Sequence, residues 1–211
     1  MYAETSVDIE ANGSSYRFEL SEEDMNMRPL IELGDKYAQL YLDKFTGTLS
    51  SVRFLNDSTL LKHKPYELIY RGELMPEEVL SNEDWAKIEA GNKQQIFDIS
   101  NIMRNRFNMD PLKWDEPTAK VAYLHSQDMA DANYFSHVSE TRGDLADRLK
   151  VGHVTYRSAG ENIAANYVDA IAVMEGWLNS KGHREALLNE EFTYLGVGVY
   201  EKYYTQNFIS K

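Results

Sequence analysis

Up to about Gly72 the hydrophobic and polar positions alternate, and beyond Met75 the apolar spacing lengthens to three and four. The stretch SVDIEANGSSYRFEL, Ser6–Leu20, holds two alternating runs around Asn12-Gly13, the pair that favours a tight hairpin turn. Side chains alternate along a strand, so Tyr16, Phe18 and Leu20 are expected on one face. Ser21, followed by three acids, reads as the cap of a short helix stopped near Pro29. KYAQLYLDKFTGTLSSVRFL, Lys36–Leu55, gives further strands broken near Thr46-Gly47. Asn56–Ser58 marks a turn, and PYELIYRG, Pro65–Gly72, a last strand.

The pattern then becomes helical. Pro76 followed by acids suits a helix start, where carboxylates meet the positive end of the dipole, with Gly91 a point of interruption. Ile96, Ile99, Met103 and Phe107 fall at helical spacing. Asp115 is placed to cap a helix reaching about Ala132. Shorter helices are expected over Gly143–Lys150 and Tyr167–Asn179, and a last one over Gly182–Leu188 with Ser180 as its cap. TYLGVGVYEKYYTQNFIS, Thr193–Ser210, reads as two strands joined near Glu201-Lys202. Helices followed by a closing hairpin define an α+β domain. The expected organisation is a β-rich domain over 1–75, an acidic helical connection over 76–95 and the α+β domain over 96–211.

Composition narrows the functions. With 211 residues and 43% hydrophobic positions the chain can bury a core without metals or disulfides. A net charge of -12, with no basic stripe, excludes nucleic acid as the main partner. The chain has no cysteine, which removes disulfides, thiolate zinc sites and cysteine nucleophiles. That fits a reducing cytoplasm and equally an exported bacterial protein that folds without disulfides. No apolar run reaches the roughly 18 residues of a membrane span. MYAETSVDIE lacks the layout of a signal peptide.

Five motifs stand in order in the second half: NYFSH (Asn133–His137) after a long helical run, GENIA (Gly160–Ala164), WLNSKGHREALLN (Trp177–Asn189), YLGVGVY and YYTQNF. This series resembles the CAP superfamily of cysteine-rich secretory, antigen 5 and pathogenesis-related one proteins, in its cysteine-free bacterial form. The β-rich part resembles the domain that precedes CAP domains in some bacterial members. The resemblance implies an α-β-α sandwich, with an antiparallel central sheet, preceded by a small β-rich domain. It also implies an extracellular or cell-surface location and a cleft holding His137, Glu161 and His183. Many members carry a second acid three residues after the tryptophan, and Ser180 stands at that position here. Glu175 lies two residues before Trp177, about 200° around the helix from it, so it points to the opposite side and does not replace that acid.

Each of these residues has a plainer reading. Glu161, beside apolar neighbours, needs a partner and could tie loops together. His183 opens a helix, whose dipole favours its neutral form. Trp177 reads as core, Asn162 as a turn or backbone partner, and Arg184 as an anchor for a carboxylate or a helix end. His125 shares a helix face with Val121 and Asp128 and reads as structural, paired with Asp128. His137 and His183 are candidate zinc ligands, although no spacing requires a metal and none is needed for the fold. No nucleophile elbow is present. Two functions follow. One is a surface-associated binding module for a small ligand, lipid, peptide or cell-wall component. The other is a metal-assisted or His/Glu-dependent hydrolase of peptides or cell-wall material.

Overall fold

A computed structural model describes residues 6–11, 13–19, 28–63 and 79–211, and the chain divides into two compact units, Met1–Glu78 and Val79–Lys211. In the first unit β1 (Ser6–Ala11) pairs antiparallel with β2 (Ser14–Glu19). Gly13 between them has φ +75°, a conformation that glycine adopts without strain. A separate sheet has the order β3 (Leu30–Glu32), β4 (Tyr37–Asp43), β5 (Thr48–Leu55). Val7, Ile9, Ile31, Leu33, Ala38 and Leu40 form the buried core of this unit, with Tyr16 and Phe18 packed against it. The turn expected at Asn56–Ser58 is instead the start of a helix, α1 (Asp57–His63). The Asn56 side chain accepts from the Thr59 N–H at 2.8 Å, which is how a turn-forming residue also caps a helix. The expected short helix after Ser21, the strand Pro65–Gly72 and the helix start at Pro76 lie outside the described residues.

The second unit opens with α2 (Asn82–Arg106), where Ser81 and Asp84 form a reciprocal capping box. Gly91 does not interrupt this helix, because its exposed position asks nothing of a side chain. There follow β6 (Lys113–Trp114), α3 (Glu116–Asp131), α4 (Leu145–Val151), β7 (Ser158–Ala165), α5 (Ala170–Leu178), α6 (Lys181–Leu187), β8 (Tyr194–Tyr200) and β9 (Tyr203–Ser210). Asp115 caps α3 through the Thr118 N–H at 3.2 Å. Ser180 occupies the cap position of α6, but its hydroxyl makes no capping bond.

The sheet order is β6-β8-β9-β7. β7, β9 and β8 run antiparallel, while β6 pairs parallel with β8, so the sheet is not wholly antiparallel as expected. On one face α2, α5 and α6 pack Ile96, Met103, Val173, Met174, Trp177 and Leu187 against Leu195, Val197, Tyr204 and Phe208. On the other face Val121 of α3 and Leu149 of α4 meet Ile209. This is an α+β fold with an α-β-α sandwich in its second unit. α3 lies very close to the sheet: a Cβ on Gly196 would stand 2.2 Å from the Ala119 nitrogen, and one on Gly198 2.0 Å from the Tyr123 nitrogen.

Candidate functional site

Neighbouring residues of a strand point to opposite faces, so Glu161 and Asn162 of β7 serve different sides of the sheet. Glu161 turns toward α3 and α4. Its Oε2 accepts from Arg148 Nη2 of α4 at 2.6 Å, and both side chains are 3% exposed. Its Oε1 lies 2.9 Å from Nδ1 of His137, a side chain 54% exposed. Both oxygens of the buried carboxylate are therefore engaged. A buried ion pair persists only when such bonds offset its desolvation.

The loop carrying His137 is held from below. Asp128 of α3 accepts from Tyr134 at 2.5 Å and Ser139 at 2.6 Å, and pairs with Arg142 at 3.5 Å. Burial pushes the Asp128 carboxyl up, but the bonds from Ser139 and Tyr134 and the charge of Arg142 outweigh it, so its pKa is lowered. Arg148 also donates to the His137 and Gly143 carbonyls at 2.8 and 3.0 Å. One guanidinium thus fixes both the carboxylate and the loop.

His125 is fully buried, with Nε2 3.1 Å from the Ser136 carbonyl and 3.9 Å from Glu161 Oε1. It is not hydrogen-bonded to Asp128, whose oxygens are taken by the loop. Burial lowers its pKa, against the opposing pull of Glu161. Asn207 of β9 is the register partner of Glu161 and shares its face. His125 Nδ1, Arg148 Nε and both amide atoms of Asn207 are buried without a hydrogen-bond partner among the described residues. Such unsatisfied groups are rare in folded proteins.

His183 arrives from the other face. It sits on α6, whose approach to β7 is fixed by Asn162 Nδ2 donating to the His183 carbonyl at 3.1 Å. Asn162 also donates to Gln206 at 3.2 Å. Burial, and then the charge of His137, lowers the His183 pKa. No hydrogen bond or ion pair joins His183 to Glu161, or the Ser180 hydroxyl to any of the three, among the described residues. Trp177 is 1% exposed and its indole donates to the Ile163 carbonyl at 3.0 Å. Arg184 donates to Leu178 O at the end of α5 at 3.2 Å and stacks over Phe107.

Sequence reasoning did not find Arg148 and read His125 as paired with Asp128. A basic residue spaced with Leu145 and Leu149 on a short helix was the one hint of Arg148's burial. A cavity of about 1030 Å³ runs along α3 and α4 past Lys120, Leu124 and Val151, but of the cleft residues it reaches only Arg148.

The donor set tests the fit to zinc. The Glu161 bond to His137 Nδ1 is the kind that orients a ligating imidazole. Glu161 itself is buried and paired with Arg148 and His137, which leaves two histidines. Among the described residues no group of three or more His, Asp or Glu could hold a metal ion. A catalytic zinc centre uses three protein ligands, so these residues do not fit one.

The α-β-α sandwich of the second unit is the fold of a CAP-type domain. Residues 97–210 match the cysteine-rich secretory protein family, to which the chain belongs, and residues 1–66 match the CAP-associated N-terminal domain. A Bacillus subtilis protein called an uncharacterized membrane protein, YlbC, is 55% identical over 97% of this chain, which spans 59% of that protein's length. An extracellular protein containing a SCP domain from Bacillus anthracis is 51% identical, with a TM-score of 0.82 over 99% of this chain and 68% of that one. A cysteine-rich secretory protein from Staphylococcus aureus is 29% identical, with a TM-score of 0.72 over the same shares, 99% and 68%. No described helix is long and apolar enough to cross a membrane.

Proposed function

We propose that this chain is an extracellular or surface-associated binding module whose cleft, between His137 and His183, holds a ligand without turning it over. The observation that carries this reading is the state of Glu161. Its side chain is 3% exposed and both oxygens are occupied, by Arg148 at 2.6 Å and His137 at 2.9 Å. A general base must reach the proton it removes. Glu161 lacks that access, and instead holds the cleft's geometry.

The outward histidine favours a second reading. With Nδ1 on Glu161, His137 keeps Nε2 for a substrate, as a His/Glu-dependent hydrolase of peptides or cell-wall material would require.

Glu161→Gln separates the two. The binding reading expects it to leave Arg148 buried without its counter-charge and to lower unfolding stability by about 3 kcal/mol. Casein and peptidoglycan are expected to stay intact with either protein, and zinc calorimetry to show no tight one-to-one site. Turnover of either substrate that Glu161→Gln abolishes, with the thermal midpoint unchanged, would establish the hydrolase. So would tight zinc binding lost in His137→Ala/His183→Ala, together with zinc-dependent turnover.

A further inference from the structure

The bond from the Asn166 N–H to the Lys202 carbonyl sets the parity of the β7–β9 ladder. In an antiparallel pair every second residue bonds its partner, so Ala164, Asn162, Gly160 and Ser158 turn their main-chain groups toward β9. Ile163, Glu161 and Ala159 turn theirs outward, and β7 is the last strand of its sheet. Trp177 closes the edge at one end by donating to the Ile163 carbonyl. The outward N–H and C=O groups of Glu161 and Ala159 meet no partner among the described residues. The exposure of Glu161 agrees: its side chain is 3% exposed, yet the residue as a whole is half-buried, so what solvent reaches is its main chain.

We propose that this short open strand edge binds an extended peptide by strand addition, the peptide's main chain pairing with Ala159 and Glu161 between His137 and His183. The proposal rests on the binding-module reading and names its ligand class.

An open edge is a template for another strand, and proteins that do not use it cover it or place a charge on it. Here the one charge on this stretch, Glu161, is turned inward and neutralised by Arg148. His137 reaches the strand from one face of the sheet, through Glu161, and α6 from the other, through Asn162. Phe135 and Val138, beside His137 in the loop, are each 56% exposed and offer apolar contacts to alternate peptide side chains. The net charge of -12 disfavours acidic peptides. The ligand is therefore an extended segment of β-branched or aromatic residues with basic or neutral flanks.

The test begins by selecting random displayed peptides on the immobilised full chain, counter-selected on the His137→Ala/His183→Ala protein. Enriched sequences are synthesised with N-methyl groups on alternate amides in each of the two registers. Affinities are read by fluorescence anisotropy. Methylation in one register is expected to weaken binding roughly tenfold or more, and in the other register to leave it unchanged. Ala159→Pro removes one outward N–H without touching the ladder, a place where an edge strand accepts proline, and is expected to weaken binding similarly. Binding indifferent to methylation in both registers overturns strand addition. If the same binding is still lost in the double-histidine protein, the binding-module reading survives that failure. A selection that enriches no peptide dependent on the two histidines overturns the peptide as ligand, and the Glu161→Gln assays then judge the broader reading separately.

Discussion

At the scale of single residues the cleft depends on Arg148 more than on either histidine. Its guanidinium neutralises Glu161 and holds two carbonyls of the His137 loop, all from a side chain 3% exposed. Arg148→Ala removes one partner of a buried pair and leaves a carboxylate stranded, which is expected to cost about 3–5 kcal/mol in urea unfolding. A loss below about 1 kcal/mol, the range of surface pairs, would mean the pair is solvated. Arg148→Lys is expected to recover only part of the stability, because a point charge cannot serve three acceptors in fixed directions. His137 and Glu161, which meet in the fold, each sit in a short recognisable motif, as does His183. Arg148 lacks such a motif, and its partners come from a loop and a strand on either side of it. The sequence also placed Ser180 in the cleft, whereas its hydroxyl makes no bond to the three cleft residues and no helix cap.

At the scale of elements, the legible features were those with a period or a cap. The helix capped by Asp115 and the closing hairpin at Glu201-Lys202 stand close to where the pattern puts them. β7 was not legible as an edge strand, since strand order is decided by partners distant in sequence. The close seating of α3 was hidden as well, although YLGVGVY contains its cause. Gly196 and Gly198 alternate with Leu195, Val197 and Val199, so one face of β8 is apolar and the other is bare where the helix backbone rests. Gly198→Ala would push a methyl group to 2.0 Å from the Tyr123 nitrogen. Backbone cannot swing aside as a flexible side chain does, so α3 must lift from the sheet. The expected cost is about 1–3 kcal/mol or more, read as a fall in thermal midpoint. It should be accompanied by weaker order in the His137 loop, because Asp128 anchors that loop to α3. Gly182→Ala, with nothing near its added methyl, should show neither effect.

For the whole molecule, buried and half-buried histidines and acids divide the pH axis between them. His125 is held below the ordinary histidine value by burial, with Glu161 opposing, and His183 by burial and the charge of His137. Groups facing His125 include Glu161 from β7, Arg148 from α4 and Asp128 from its own helix, and their charges partly cancel. In the unfolded chain both rings return to a pKa of about 6.5. As pH falls below that value the unfolded state takes up protons that the fold resists, so stability declines with acid and is complete above it. Asp115 and Asp128 act at lower pH. Their carboxyls are raised by burial but lowered further by hydrogen bonds and neighbouring cations, so their contribution is present above the ordinary aspartate value of 3.8 and is lost as pH falls through their folded values. The histidine effect should therefore appear first, in a window that opens as pH falls below about 6.5, with a slope of at most about 1.4 kcal/mol per pH unit for each ring. Urea unfolding followed from pH 8 to 5 is expected to be level at the upper end and to fall in that window. His183→Gln should reduce the slope there and leave the fall below pH 4 untouched. A slope identical in the wild type and His183→Gln would show that the ring titrates in the fold as it does in water, and that α6 does not seal it against the sheet.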